Sequence, residues 1–290
     1  MKKQSIFYFL SLPQLLLLAC QQDNPSAPLK FGGYENNPVL MPGEPGSWDD
    51  LYVINAFVLE YEDIIYLFYT AYNQSGSRAL GLSTSTDGYH FTRFEGNPIL
   101  KGDGAGYDAF GVAQAQVLKA DSGWVPYFNG REIAGFSSGP SIGRATAPAL
   151  TGPWTKSEEP ILKAGRRGEW DSDFIYLGPV LMLDDSNFVM YYSGGPDIYT
   201  EKNFFIGMAN SKDGIKWKKY NDPATTQHPF ADSDPVMMTG NPGEWDANIV
   251  LSCALLKYPW GFGMYYSCGA IGYATSGDGI HWKKYQGNPI

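Results

Sequence analysis

Apolar residues along this chain gather into short aromatic-rich runs that end at turn signals, and the runs return in the same order. Aromatic stretches stand at Leu67-Phe68-Tyr69-Thr70, Tyr127-Phe128-Asn129-Gly130, Met190-Tyr191-Tyr192-Ser193 and Met264-Tyr265-Tyr266-Ser267. After three of them a small-residue run leads to Asp-Gly and then an aromatic. Gly81-Leu82-Ser83 leads to Asp87-Gly88 and Phe91, Gly207-Met208-Ala209 to Asp213-Gly214 and Trp217, and Gly272-Tyr273-Ala274 to Asp278-Gly279 and Trp282. In the second unit Gly143-Arg144-Ala145 leads instead to Thr151-Gly152-Pro153-Trp154. Asp-Gly between extended segments marks a hairpin, because glycine accepts the positive φ of a tight primed turn.

Two further landmarks precede each aromatic stretch. One is Asn-Pro or a similar pair before aliphatics, at Asn37-Pro38, Asn97-Pro98, Glu159-Pro160 and Asp234-Pro235, with Asn288-Pro289 at the end. The other is an aromatic-Asp pair, at Trp48-Asp49, Tyr107-Asp108, Trp170-Asp171 and Trp245-Asp246, whose aspartates lie 59, 63 and 75 positions apart. Four short antiparallel strands per unit, at a repeating period, predict propeller blades. The expectation is an all-β, five-bladed β-propeller in a single domain over residues 30–290. Leu29 to Leu40 and Tyr285 to Ile290 read as outer strands of one further blade. On that reading the sequence holds four blades and the start of a fifth, and is incomplete at its C-terminus.

Composition fits this picture. Aromatics make up 15% and charged residues only 18%, with 34 Gly and 20 Pro to supply turns. The net charge of −9 argues against a nucleic-acid partner, which needs a basic face. Met1-Lys2-Lys3 followed by a mostly apolar run to Ala19 reads as a signal segment, too short to span a bilayer. Leu17-Leu18-Ala19-Cys20 resembles a bacterial lipobox, so residues 1–19 are expected to be removed, Cys20 lipidated, and residues 20–29 to form a tether. The protein is then expected in the bacterial cell envelope, held to a membrane by its lipid alone, and monomeric. Cys253 and Cys268 flank a predicted hairpin at Pro259-Trp260-Gly261. A disulfide and two separate thiols both remain open. No cofactor is called for, and the three histidines and scattered acids show no metal-demanding spacing.

Asn-Pro-Ile-Leu, then Trp-Asp, then Met-Tyr-Tyr-Ser-Gly, then the Ser-x-Asp-Gly turn and a Trp resemble the five-bladed propellers of glycoside hydrolase families 43 and 32. That group includes arabinanases, xylosidases, levansucrases and invertases. The resemblance covers about residues 30 to 290 and implies a carbohydrate substrate and hydrolysis of glycosidic bonds, with a non-catalytic glycan-binding propeller as the alternative. It also implies acids at the base of the inner strands of blades one to three. Carried over by position, these fall at Asn55-Ala56, Gln114-Ala115 and Leu177-Gly178-Pro179, none of which holds an acid.

Residues repeated in every unit mainly build blades, so function is sought among residues that break the repeat on the face where blades connect. By that filter the aspartates of the aromatic-Asp pairs read as structural, and His90 and His281 as turn residues on the opposite face. His228, in a long insertion, is a weak candidate. Hydrolysis needs one protonated and one ionised carboxyl group. Asp50 and Asp173 are the predicted base and supporting carboxylate, and Glu132 the acid. Asn55, Arg78, Gln114 and Arg131 are predicted substrate contacts. Trp48, Tyr107 and Trp170 are predicted sugar-stacking platforms.

Overall fold

A computed structural model describes residues 27–29, 32–121, 123–132, 141–197 and 202–290. The signal segment 1–19, Cys20 with most of the tether, and Ile198 to Glu201 of the third-blade connection lie outside the described residues. Blade one consists of β1 (Tyr52–Tyr61), β2 (Ile64–Tyr72), β3 (Arg78–Ser85) and β4 (Thr92–Arg93), with β5 (Leu100–Lys101) pairing onto β3. Blade two has β6 (Gly111–Ala120), β7 (Gly123–Arg131), β8 (Ser141–Thr146) and β9 (Thr155–Lys156). In blade three β10 (Phe174–Asp184), β11 (Asn187–Gly195), β12 (Phe205–Ser211) and β13 (Trp217–Lys219) are joined by β14 (Pro235–Met237), which pairs onto β12. Blade four comprises β15 (Leu251–Tyr258), β16 (Gly261–Ser267), β17 (Ile271–Ser276) and β18 (Lys283–Lys284). All pairing within the blades is antiparallel.

The inner strands β1, β6, β10 and β15 pack side by side in that order and define the axis. Among the described residues no comparable packing joins β15 back to β1. The two flanking blades are accordingly the more exposed, with Tyr52 and Ile54 of β1 and Ile271 of β17 open to solvent. Each inner strand begins, and each second strand ends, on one face. There Tyr52 pairs with Tyr72, Gly111 with Arg131, Phe174 with Gly195 and Leu251 with Ser267.

The repeated landmarks have physical reasons. The aromatic of each aromatic-Asp pair packs on the second strand of its own blade: Trp48 on Tyr69, Tyr107 on Phe128, Trp170 on Tyr192 and Trp245 on Tyr266, with centroids 5.6–6.3 Å apart. The glycine within the third strand makes room for these rings, since a Cβ on Gly207 would lie 2.5 Å from the Tyr192 ring. The aspartates are buried and each meets a cation on the outer strand: Asp49 with Arg93, Asp108 with Lys156, Asp171 with Lys219 and Asp246 with Lys284, at 2.5–3.0 Å. The asparagine of Asn-Pro clasps one residue of the third strand at both backbone groups. Asn97 Oδ1 accepts from the Leu82 N–H and its Nδ2 donates to the Leu82 carbonyl, and Asn288 does the same at Tyr273.

Pairing across the blades corrects one alignment. Pro126-Tyr127-Phe128-Asn129, one residue earlier than the stretch beginning at Tyr127, is the counterpart of Met190-Tyr191-Tyr192-Ser193. Phe128 meets the Tyr107 ring as Tyr192 meets Trp170, and Asn129 occupies the place of Ser193. Cys253 and Cys268 are both free thiols. His90 and His281 each place Nδ1 2.7 Å from the aspartate of their own Asp-Gly turn, Asp87 and Asp278.

Candidate functional site

In blades one, two and four the inner strand bulges just after Ile54, Ala113 and Leu251, which pair with Thr70, Asn129 and Ser267. In blade three Tyr176 pairs with Ser193 and the irregularity comes one residue later, after Leu177. The next residues, Asn55, Gln114, Leu177 and Ser252, form one rung around the axis. The rung includes all three positions to which the family acids carry over, and it holds no carboxylate. At Asn55, Gln114 and Ser252 the backbone is left-handed, with φ of 52°, 53° and 43°. Such a conformation costs a non-glycine residue roughly 1–3 kcal/mol and persists only where surrounding structure enforces it.

Side chains of the preceding blade supply that enforcement at Gln114 and Ser252, and hold the Leu177 amide in the same way. Thr70 Oγ1 accepts the Gln114 N–H at 2.9 Å, Asn129 Oδ1 the Leu177 N–H at 2.8 Å, and Ser193 Oγ the Ser252 N–H at 3.0 Å. A second set of bonds joins blades farther out. The Tyr127 hydroxyl donates to the Gly214 carbonyl at 3.0 Å and the Tyr191 hydroxyl to the Gly279 carbonyl at 2.7 Å. In blade one the matching residue is Phe68, and the blade it faces is the one whose Asp-Gly turn is replaced by Thr151-Gly152-Pro153. The Tyr265 hydroxyl, last in the series, accepts the Leu29 N–H at 2.7 Å, which holds Leu29 on blade four.

The predicted site residues divide into two groups. Arg78, Arg131 and Asp173 converge near the axis. Arg78 begins β3 beside Tyr72, its guanidinium 4.4 Å from the centre of that ring. Burial lowers the Arg78 pKa, Tyr72 and Tyr176 oppose the shift, and the like charge of Arg131 adds to it. Tyr176 of blade three is raised by burial and feels Arg131, Arg78, Tyr72 and Asp173 in turn. A side chain acting on both blade one and blade three sits at the axis, since blade two separates them. Gln114 is half-buried on the rung, Asn55 is exposed there, and Glu132 is exposed immediately after β7.

The other predicted residues serve local structure. Asp50 braces two loops: Oδ2 accepts the Gly46 N–H at 2.8 Å and Oδ1 the Gln74 N–H at 3.1 Å. Trp170 is 1% exposed and has no face left for a sugar. Trp48 and Tyr107 occupy the matching places in their blades, and the Tyr107 hydroxyl donates to the Ser157 carbonyl. These three aromatics belong to blade packing rather than to a sugar platform. His228 places Nδ1 2.6 Å from Oε1 of the fully buried Glu169, whose Oε2 accepts the Asp232 N–H, so it fastens the insertion to blade three. Among the described residues no three His, Cys, Asp or Glu side chains gather as a metal would require.

Tyr72 and Tyr176 were missing from the predicted set. Tyr176 directly precedes the Leu177-Gly178-Pro179 segment already singled out, which is the signal that would have found it. Tyr72 closes β2 opposite Arg78 and follows from strand register alone.

No family model matches the chain, and no curated protein is significantly similar to it. Solved structures are similar. A glycosyl hydrolase from Bacteroides ovatus is 19% identical over 88% of this chain and 81% of its own, with a TM-score of 0.66. A structure from the GH130 family, described as containing glycoside hydrolases that target β-1,2 mannosidic linkages in Candida mannan, is 18% identical. It covers 87% of this chain and 78% of its own, with a TM-score of 0.68. A family 117 glycoside hydrolase of the marine bacterium Zobellia galactanivorans is 14% identical over 85% and 73%, with a TM-score of 0.60. The fold is therefore the β-propeller these glycoside hydrolases share.

Proposed function

We propose that the protein is an exported glycoside hydrolase of the propeller class, lipid-anchored through Cys20, which binds poly- or oligosaccharides over the axial face. The observation carrying this reading is the convergence of Asp173, Arg78, Arg131, Tyr72 and Tyr176 at the axis of a fold otherwise seen in glycoside hydrolases. Asp173 serves as the base and Glu132, at the open end of β7, as the acid. Asp50, with both oxygens engaged by backbone N–H groups, acts as a support for the rim. A second reading, a non-catalytic glycan-binding propeller, is favoured by the acid-free rung of Asn55, Gln114, Leu177 and Ser252.

Turnover of aryl-glycosides and of arabinan, xylan, fructan and algal oligosaccharides separates the two readings. On the first, Asp173→Asn and Glu132→Gln each lower turnover by about 10²–10⁴-fold, the range of general acid–base catalysis. Tight sugar binding without turnover by the wild type supports the binding module. Turnover that survives both substitutions refutes these residue roles.

A further inference from the structure

The backbone brings two arginines to either side of a bare glycine. Arg78 bridges to Gly111 in the parallel sense, and Gly111 pairs with Arg131. With strands about 4.8 Å apart, the two arginine Cα atoms stand roughly 10 Å from each other, close enough for long side chains to converge. Gly111 has a φ of +136°, and a Cβ there would lie 2.4 Å from the Arg78 carbonyl oxygen, so no side chain separates the pair. Arg131 is 3% exposed, while Arg78 is half-buried and reaches the surface. The Tyr72 ring under the guanidinium restrains its plane, as an aromatic shelf does for arginine. Tyr176 comes from the third blade to face both cations, with Asp173 as the acid acting on it. Two arginines brought together beside an aromatic shelf, within a chain of net −9, make a local feature that overall composition does not explain. Arg78, Arg131 and Asp173 all interact within the protein, which preorganises the cluster.

We propose that Arg78, with Arg131 beneath it and Tyr72 and Tyr176 beside it, is a subsite for an oxyanion carried by the saccharide, the carboxylate of a uronic acid or a sulfate ester. The inference rests on the saccharide reading above and narrows it to acidic glycans. Arg78 touches the anion through charge-assisted hydrogen bonds, the tyrosine hydroxyls donate to it, and Arg131 supplies a second, buried charge.

Calorimetric titration of the full chain with matched acidic and neutral glycans tests this. The pairs are oligogalacturonate and its methyl ester, glucuronoxylan and xylan oligosaccharides, and sulfated and desulfated galactan oligosaccharides. The acidic member of at least one pair is expected to bind about 10–100-fold tighter, the range of a charge-assisted contact. Which pair responds tells carboxylate from sulfate. Arg78→Gln, checked for an unchanged melting temperature, weakens the acidic member by about 10–100-fold more than the neutral one and so abolishes that preference. Arg78→Lys, which keeps the charge but not the fork, restores part of it. Equal affinity within every pair for the wild type overturns the subsite and leaves the saccharide reading standing. No binding to any of the six overturns both.

Discussion

Replacing Lys219 by methionine isolates the buried ion pair that recurs in every blade. Asp171 is fully buried, and its Oδ2 takes the Lys219 ammonium at 2.5 Å and the Tyr192 hydroxyl at 3.1 Å. Methionine keeps most of the apolar stem of lysine and removes the charge, leaving a carboxylate under the blade with a single neutral donor. Orphaning a buried charge costs about 3–5 kcal/mol. The Lys219 side chain is 15% exposed, so the lower end of that range applies. At roughly 2–4 °C per kcal/mol for a domain of this size, the melting temperature falls by about 6–12 °C. Asp171→Asn with Lys219→Met removes both charges and is expected to recover more than half of the loss. Urea unfolding of the wild type, Lys219→Met, Asp171→Asn and the double variant, followed by near-ultraviolet circular dichroism, gives the four free energies for the cycle. A Lys219→Met loss below about 1 kcal/mol, or a double variant no better than Lys219→Met alone, refutes the account of this pair as a coupled unit.

Further outcomes follow from other contacts. Tyr191→Phe removes the buried bond to the Gly279 carbonyl and is expected to cost about 1 kcal/mol in urea unfolding, with the fold retained because blade one already uses Phe68 there. Ser193→Ala leaves the Ser252 N–H without its acceptor and is expected to cost about 1–3 kcal/mol by the same assay. The Asp213 carboxyl is held below the usual carboxylate range by the Lys216 and Ile215 N–H groups. A folded pKa below the unfolded one adds stability at pH values above the unfolded pKa, so Asp213→Asn destabilises fully at pH 7. The difference fades as pH falls below about 4, which unfolding across a pH series reads directly. Cys20→Ser is expected to move the exported protein from the membrane fraction to the soluble one, as fractionation and immunoblotting would show.

Much of the blade was legible because its chemistry is local. Asp-Gly turns, small residues opposite aromatic rings and alternating strands need only neighbours in sequence, and the matching positions of His90 and His281 already marked them as turn residues. The cations that neutralise the four buried aspartates were readable too, since Arg93, Lys156, Lys219 and Lys284 each stand two places after the aromatic that follows the hairpin. Blade two was read one residue out of register because Pro126 and Asn129 replace the Met and Ser that mark that strand in blades three and four. The site was harder. Asp50 and Asp173 look alike in sequence, each following an aromatic-Asp pair, and only folding shows that one braces loops while the other faces Tyr176. The meeting of Arg78 and Arg131 depends on a bridge across Gly111 that no periodicity announces.

Five bonds that carry one blade's second strand onto the next blade run in one sense. The earlier blade contributes a side chain, from Thr70, Asn129 or Ser193 near the axis and from Tyr127 or Tyr191 farther out, and the later blade contributes only backbone. These bonds are therefore set by the sequence of the blade before them. A substitution in blade two loosens blade three, and one in blade three loosens blade four, while the weakened blade keeps its own sequence. The amides of Gln114, Leu177 and Ser252 become built-in reporters: their hydrogen-exchange rates record, seam by seam, how firmly each blade is docked on the one that precedes it.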